Sequence, residues 1–102
     1  MIKTLQKRFP KIKQLQKSLL KIARKHGTPL YIFDKAEAQK NIRDLKSAFK
    51  KEKVNLNIFF AIKSNYYSGL LKTVVQEGEG LDASSQRELK LALAAGAKKI
   101  IY

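Results

Sequence analysis

Lys63 is the residue of this sequence best suited to covalent chemistry, because it directly follows the apolar run Phe59-Phe60-Ala61-Ile62. Such a run is typical of a buried strand, and folds with parallel strands place their active sites where the strands end. Burial there would disfavour the charged ammonium and favour the neutral amine that a Schiff-base nucleophile requires. For this residue alone, a lysine that extends its amine into solvent is an equally good interpretation.

Two carboxylates accompany the next apolar run. Asp82 ends Gly80-Leu81-Asp82, and Glu88 follows six residues later. If the two runs are adjacent parallel strands, Asp82 approaches Lys63 across roughly 5 Å and could orient its amine. Ser85 and Glu88 also have the S-x-x-E spacing of a helix capping box, so a structural role is the simpler interpretation of Glu88. The two roles are compatible.

The elements that would position these residues alternate along the chain. Helical periodicity recurs between the apolar runs, and a capping-box spacing at Asp34 and Glu37 opens the second helix. The pattern predicts an α/β fold of about four parallel strands with crossover helices, preceded by an amphipathic helix. Periodicity does not separate an open doubly wound sheet from an eight-stranded barrel. The predicted strands are residues 30–33, 56–62, 80–83 and 99–102.

The end of the chain bears on its completeness. Tyr102 lies inside the fourth apolar run, with no polar segment after it. A closed barrel needs eight strands, so we expect the chain to be truncated.

Composition excludes several classes of site. The sequence has no cysteine and one histidine, so disulfides and thiolate metal sites are absent and a zinc site is disfavoured. We therefore expect no metal. No apolar run approaches the roughly 20 residues that span a bilayer, and lysines interrupt any secretory signal. We expect a cytoplasmic protein without a membrane partner.

The net charge of +14 is concentrated at the start of the chain, where residues 1–26 contain nine Lys or Arg and no acid. This segment is predicted to be a basic amphipathic helix that forms a region of its own. A nucleic-acid-binding arm is one interpretation, and a solvated surface helix is the other. The surface helix is favoured, because the segment lacks interleaved aromatic residues and an Arg cluster.

Several motifs in order resemble the ornithine, diaminopimelate and arginine decarboxylase family, and most closely its diaminopimelate decarboxylases. The resemblance covers residues 27–102 and does not extend to residues 1–26. The motifs are Gly27-Thr28-Pro29-Leu30-Tyr31-Ile32-Phe33-Asp34, Phe60-Ala61-Ile62-Lys63-Ser64-Asn65, Gly69-Leu70-Leu71-Lys72-Thr73, Gly80-Leu81-Asp82, Glu88-Leu89, Ala95-Gly96 and Ile100-Ile101-Tyr102.

The resemblance implies a fold, a cofactor and a reaction. Residues 27–102 would be the N-terminal part of an alanine-racemase-like (β/α)8 barrel that binds pyridoxal 5'-phosphate, in an obligate homodimer. Lys63 matches the Schiff-base lysine, Asp82 an aspartate near the imine, and Glu88 a glutamate one layer further from the cofactor. The implied reaction is the decarboxylation of an amino acid, meso-diaminopimelate to lysine in lysine biosynthesis. The phosphate loop and other cofactor-binding parts are missing, so this chain alone is expected to be inactive.

Other functions remain open at this level. Tyr66-Tyr67 stands where the family often has Pro or a small residue, which leaves the substrate open. The alternatives on the same fold are an ornithine- or arginine-type decarboxylase of polyamine synthesis, an amino-acid racemase, and a non-catalytic pyridoxal phosphate carrier. A basic nucleic-acid-binding module ranks last.

Overall fold

The computed structural model describes residues 10–102. Contacts between residues divide the chain into two compact units, Met1–Ile32 and Phe33–Tyr102. Within the described residues, no helix is long and apolar enough to cross a membrane.

The first unit contains helix α1, which extends over Pro10–His26. Four apolar side chains at helical spacing are half-buried, while the lysines between them are exposed, as expected of an amphipathic helix. The helix ends at Gly27, whose φ of +82° allows its N–H to donate to the Ala23 carbonyl at 2.8 Å. The predicted basic helix is confirmed over these residues, and residues 1–9 of that prediction lie outside the described residues. The half-buried side chains are Ile12, Leu15, Leu19 and Ile22.

Residues 30–33 form no strand, and the prediction of a first buried strand there is wrong. Tyr31 and Ile32 are exposed. A strand forms only where a neighbouring strand pairs with its backbone, and an apolar composition does not supply that partner. The described residues therefore contain three strands instead of the predicted four.

The second unit is a parallel sheet with helices between its strands. Its strands are hydrogen-bonded in the order β1-β2-β3, and every pair is parallel. The predicted α/β class with crossover helices is confirmed, although each strand is shorter than its apolar run. The elements in chain order are α2 (Lys35–Lys51), β1 (Phe59–Ala61), a 3-10 turn (Ile62–Ser64), α3 (Ser68–Gln76), β2 (Gly80–Asp82), α4 (Gln86–Ala94) and β3 (Ile100–Ile101).

Side-chain caps fix where two of these helices begin. The Asp34 carboxylate accepts a hydrogen bond from the Glu37 N–H at 2.9 Å, at the start of α2. The Ser85 hydroxyl accepts one from the Glu88 N–H at 3.2 Å, at the start of α4. Each bond satisfies a backbone donor that the helix leaves unpaired, so both predicted caps are confirmed.

The core lies on one face of the sheet. Leu81 is fully buried there, and Phe60 and Ile100 on the neighbouring strands pack against the same cluster. Because side chains alternate along a strand, Phe59, Ala61 and Asp82 belong to the opposite face. On that face the Phe59 ring lies so close to Gly80 that a Cβ there would meet ring carbons at 2.4 and 2.5 Å. The buried cluster is Ile62, Leu71, Val74, Leu81, Ala83 and Ala92.

We call the sheet edge at which the strands begin the amino edge, formed by Ile58, Glu79 and Lys46. The buried Glu79 carboxylate accepts the Ile58 N–H at 3.0 Å and a hydrogen bond from the Lys46 ammonium. Burial alone would raise the pKa of Glu79, but these hydrogen bonds and the Lys46 charge outweigh it and hold the pKa below 4.5. Glu79 therefore joins α2 to the start of β1.

A second carboxylate next to the amino edge also binds α2. Both Glu77 oxygens accept hydrogen bonds from Arg43, at 2.8 and 2.9 Å, and Gln39 donates to one of them at 2.8 Å. The hydrogen bonds from Arg43 lower the pKa of Glu77, against the opposing effect of desolvation.

Candidate active site

The three strands end at one level, and we call this the carboxyl edge. Ala61 pairs with Asp82, and Asp82 pairs with Ile101. Lys63 lies two residues beyond Ala61, in the turn that follows β1. The register thus brings the Lys63 segment beside the end of β2, where the sequence placed Asp82.

Lys63 is exposed, so the expectation that it is a buried strand-end amine is wrong. The strand ends at Ala61, and the chain enters a 3-10 turn in which Ile62 is fully buried. A residue that follows a buried one in such a turn faces away from the core, so the lysine extends toward solvent. Across the part of the chain that the structure describes, no hydrogen bond or ion pair involves the Lys63 amine. It is thus accessible to a reactant.

Asp82 is half-buried at the end of β2, on the face opposite Leu81. Its strand partner Ala61 is two residues before Lys63. Within residues 10–102, however, no hydrogen bond or ion pair joins the Asp82 carboxylate to the Lys63 amine. The role of Asp82 beside the lysine therefore stays a prediction.

Short-range hydrogen bonds hold the backbone around Lys63. The Ser64 hydroxyl donates to the Ala61 carbonyl at 2.8 Å, and the Asn65 N–H donates to the Ile62 carbonyl at 3.0 Å. The Asn65 side-chain oxygen in turn accepts the Tyr67 N–H at 2.9 Å. Ser64 and Asn65, which flank the lysine in its motif, thus shape the turn that presents it.

Glu88 is buried in the first turn of α4, and both of its carboxylate oxygens are engaged. One accepts the Ser84 N–H, and the other accepts the Tyr66 hydroxyl at 3.3 Å. The structural interpretation of Glu88 is thus confirmed, and its role toward a cofactor stays a prediction. The bond to Tyr66 was not foreseen, and only the place of Tyr66 next to the lysine motif could have suggested it.

The charged cavity of the second unit does not coincide with the carboxyl edge. A cavity of about 700 Å³ lies against α2 and is lined by Arg43, Lys46, Lys50, Lys53 and Glu77, among others. Arg43 binds Glu77 and Lys46 binds Glu79, while Lys50 lies in the last helical turn, where a cation balances the helix dipole. Because these charges serve helix α2, we place the candidate site at the carboxyl edge, where an accessible amine lies.

The geometry of the described residues is not that of a metal centre. No group of three or more His, Cys, Asp or Glu side chains within residues 10–102 is arranged to hold a metal ion. The groups that can react at the carboxyl edge are an amine and a carboxylate.

Comparison with known families gives these residues a context. Residues 35–102 match the model described as "Pyridoxal-dependent decarboxylase, pyridoxal binding domain". The match covers two thirds of the chain and includes β1 to β3 and the residues between them. The chain therefore belongs to the pyridoxal-dependent decarboxylase family, and the resemblance inferred from the sequence is confirmed.

The curated relatives agree with this family and narrow it. The chain is 36% identical over 77 residues to the diaminopimelate decarboxylase of Methanothermobacter thermautotrophicus, covering 76% of this chain and 18% of that protein. For the Campylobacter jejuni diaminopimelate decarboxylase the values are 40% over 78 residues, 74% and 19%. For that of Haemophilus influenzae they are 37% over 83 residues, 79% and 20%. The chain spans about a fifth of the length of these relatives, and no solved structure matches it significantly.

Proposed function

We propose that these residues supply the lysine that binds pyridoxal 5'-phosphate in an amino-acid decarboxylase, with Lys63 as that lysine. We propose meso-diaminopimelate as the substrate and lysine as the product. The observation that carries the proposal is the exposed, unpaired Lys63 amine directly after β1, within the residues that match the pyridoxal-binding domain. The curated relatives, named as diaminopimelate decarboxylases, support the choice of substrate.

The groups at the carboxyl edge fit this cofactor. Its aldehyde takes a primary amine, and the Lys63 amine is accessible and makes no ion pair in the described part of the chain. A carboxylate is available at the end of the neighbouring strand, since Asp82 pairs with Ala61. Lys63 would hold the cofactor, and Asp82 would lie on the same side of the sheet edge.

When bound, pyridoxal phosphate supplies an electron sink for the electrons that remain after the substrate carboxylate leaves. Lys63 would hold the cofactor until an amino acid replaces it. The freed Lys63 amine would then take up or deliver a proton at the substrate Cα. Asp82 would orient the Lys63 amine, and Glu88 would fix the start of α4 beneath it.

The finer architecture is also part of the proposal. We infer that the three parallel strands belong to a (β/α)8 barrel, with the strand–helix alternation and the family match in support. The sequence resemblance is the support for a homodimer and for a cytoplasmic location.

Release of CO2 from a panel of amino acids tests the activity. The protein that carries these residues is assayed with pyridoxal phosphate and meso-diaminopimelate, lysine, ornithine or arginine. We expect release from meso-diaminopimelate alone, and a loss of at least about a hundredfold in Lys63→Ala, because that amine would both hold the cofactor and move protons. Lys72→Ala, at an exposed lysine of α3, is the matched control.

Two results would change the assignment. Release from ornithine or arginine instead would move the substrate to polyamine synthesis. Cofactor binding without release from any of the four would favour a racemase or a carrier on the same fold.

A further inference from the structure

Tyr66 connects the two loops at the carboxyl edge. It belongs to the loop that follows β1, and its hydroxyl donates to one Glu88 oxygen at 3.3 Å. The second Glu88 oxygen accepts the N–H of Ser84, in the loop that follows β2. A chain of two hydrogen bonds, which we call the Tyr66 link, therefore runs from one loop to the other through a single buried carboxylate.

The environment of Tyr66 holds its ring at this place. The Arg87 guanidinium lies 5.3 Å from the ring centre, within the range of a cation–π contact. Tyr66 is 46% exposed, whereas Glu88 is 4% exposed, so the phenol lies at the surface and extends inward to a buried acceptor. A hydrogen bond to a buried charged acceptor is stronger than one between neutral groups at the surface.

We propose that Tyr66 is a positioning residue, which holds the Lys63 segment in register with the Asp82 segment through the Tyr66 link. Tyr66 lies three residues after Lys63, and Ser84 lies two residues after Asp82, so the link closes directly behind both groups. This inference rests on the proposed role of Lys63.

Helix capping alone does not account for the Tyr66 hydroxyl. The Ser85 hydroxyl already caps α4, and the Glu88 carboxylate already accepts a backbone N–H in front of that helix. The phenol adds a bond between loops that the cap does not need.

The neighbouring Tyr67 provides a natural comparison. Its ring packs edge-on against Phe33 at 5.4 Å and lies over Gly69. Over the described residues, its hydroxyl makes no hydrogen bond. Tyr67→Phe removes a hydroxyl without breaking the link, so it is the matched control for Tyr66→Phe.

The test compares the whole chain with Tyr66→Phe and Tyr67→Phe in two measurements. The first is amide hydrogen exchange at Asn65 and Ser84. The second is the rate at which Lys63 reacts with pyridoxal phosphate, followed by borohydride trapping over a range of cofactor concentrations. The first measurement requires no cofactor, and the second separates the apparent dissociation constant from the limiting rate constant.

We expect Tyr66→Phe to raise the exchange rate of both amides about tenfold, as for the loss of one hydrogen bond to a charged group. The limiting rate constant at Lys63 should fall by about the same factor, with the apparent dissociation constant changed less than about twofold. A purely structural role would not separate these two quantities in the folded protein. Tyr67→Phe should match the unmodified chain in both measurements.

The outcomes separate this inference from the proposed function. Unchanged amide exchange in Tyr66→Phe overturns the inference, and so does faster exchange with an unchanged limiting rate constant. If the unmodified chain is not trapped at Lys63, the proposed function fails. The exchange rates alone then decide whether the Tyr66 link holds the two loops.

Discussion

The two edges of the sheet use charged residues in opposite ways. At the amino edge, Glu79 is buried and bound by Lys46 and by the Ile58 N–H. At the carboxyl edge, Lys63 is exposed, and no partner for its amine exists among the described residues. Both edges belong to the same three short strands, so the difference arises from what each charge contacts.

This difference separates structural from chemical residues. A buried carboxylate with several hydrogen bonds stabilises the fold, since removing it leaves donors without acceptors. An exposed amine without a partner contributes little to the fold and remains free to react. The comparison therefore predicts that stability depends on the amino edge and reactivity on the carboxyl edge.

The largest stability effect is expected at Glu79. Glu79→Gln should lower the free energy of unfolding by about 2–3 kcal/mol, because the Lys46 charge loses its partner and the Ile58 N–H loses an ionic acceptor. Urea unfolding monitored by circular dichroism measures this loss. Glu52→Gln, at an exposed glutamate just after α2, is the control and should change stability by less than about 0.5 kcal/mol. Equal losses in the two variants would contradict the structural role of the amino edge.

Gly80, the first residue of β2, should also tolerate no side chain. In Gly80→Ala the added Cβ would meet the Phe59 ring at 2.4 Å and the Lys99 carbonyl oxygen at 3.0 Å. Because the ring must shift within a packed sheet, we expect a loss of about 1–3 kcal/mol in the same unfolding measurement. Unchanged stability would show that Phe59 moves aside freely.

Acid should weaken the amino edge in a defined direction. The pKa of Glu79 is held below its ordinary value of 4.5 by the bonds from Lys46 and Ile58, which outweigh its burial. Its stabilisation is therefore complete above about pH 4.5 and is lost as the pH falls through the lowered pKa. Unfolding free energies measured from pH 7 to pH 3 should decline below pH 4.5.

The Glu79→Gln variant is the control for this pH dependence. It should show a shallower decline, though not a flat profile, because Arg43 also lowers the pKa of Glu77. An identical decline in the variant would assign the acid sensitivity to other carboxylates.

The smallest stability effect is expected at Lys63. Lys63→Ala should change the free energy of unfolding by less than about 0.5 kcal/mol, because the side chain is exposed. Paired with Glu79→Gln in one urea series, it gives the sharpest contrast between the edges. A loss above about 1 kcal/mol would reveal a structural role for the lysine and weaken the comparison.

Local sequence signals predicted the element types well. The caps at Asp34 and Ser85 and the glycine after α1 follow from chemistry within a few residues of each helix end. The strands β1, β2 and β3 lie inside the predicted apolar runs. Such signals were sufficient for the α/β class and for the order of the described elements.

The predictions failed where the outcome depends on distant residues. Residues 30–33 are apolar but unpaired, and the exposure of Lys63 depends on a strand that ends two residues earlier than its apolar run. The bonds of Glu79 with Lys46 and of Tyr66 with Glu88 join residues 33 and 22 positions apart. Periodicity contains no information on such pairs, because they depend on how helices pack on the sheet.

Covalent trapping of the cofactor tests the central claim most directly. The chain is incubated with pyridoxal phosphate, reduced with borohydride, digested and mapped by mass spectrometry, with Lys63→Ala and Lys72→Ala alongside. The account predicts a label on Lys63 that is lost in Lys63→Ala and kept in Lys72→Ala. A label spread over the exposed lysines, or one confined to a lysine other than Lys63, would contradict it.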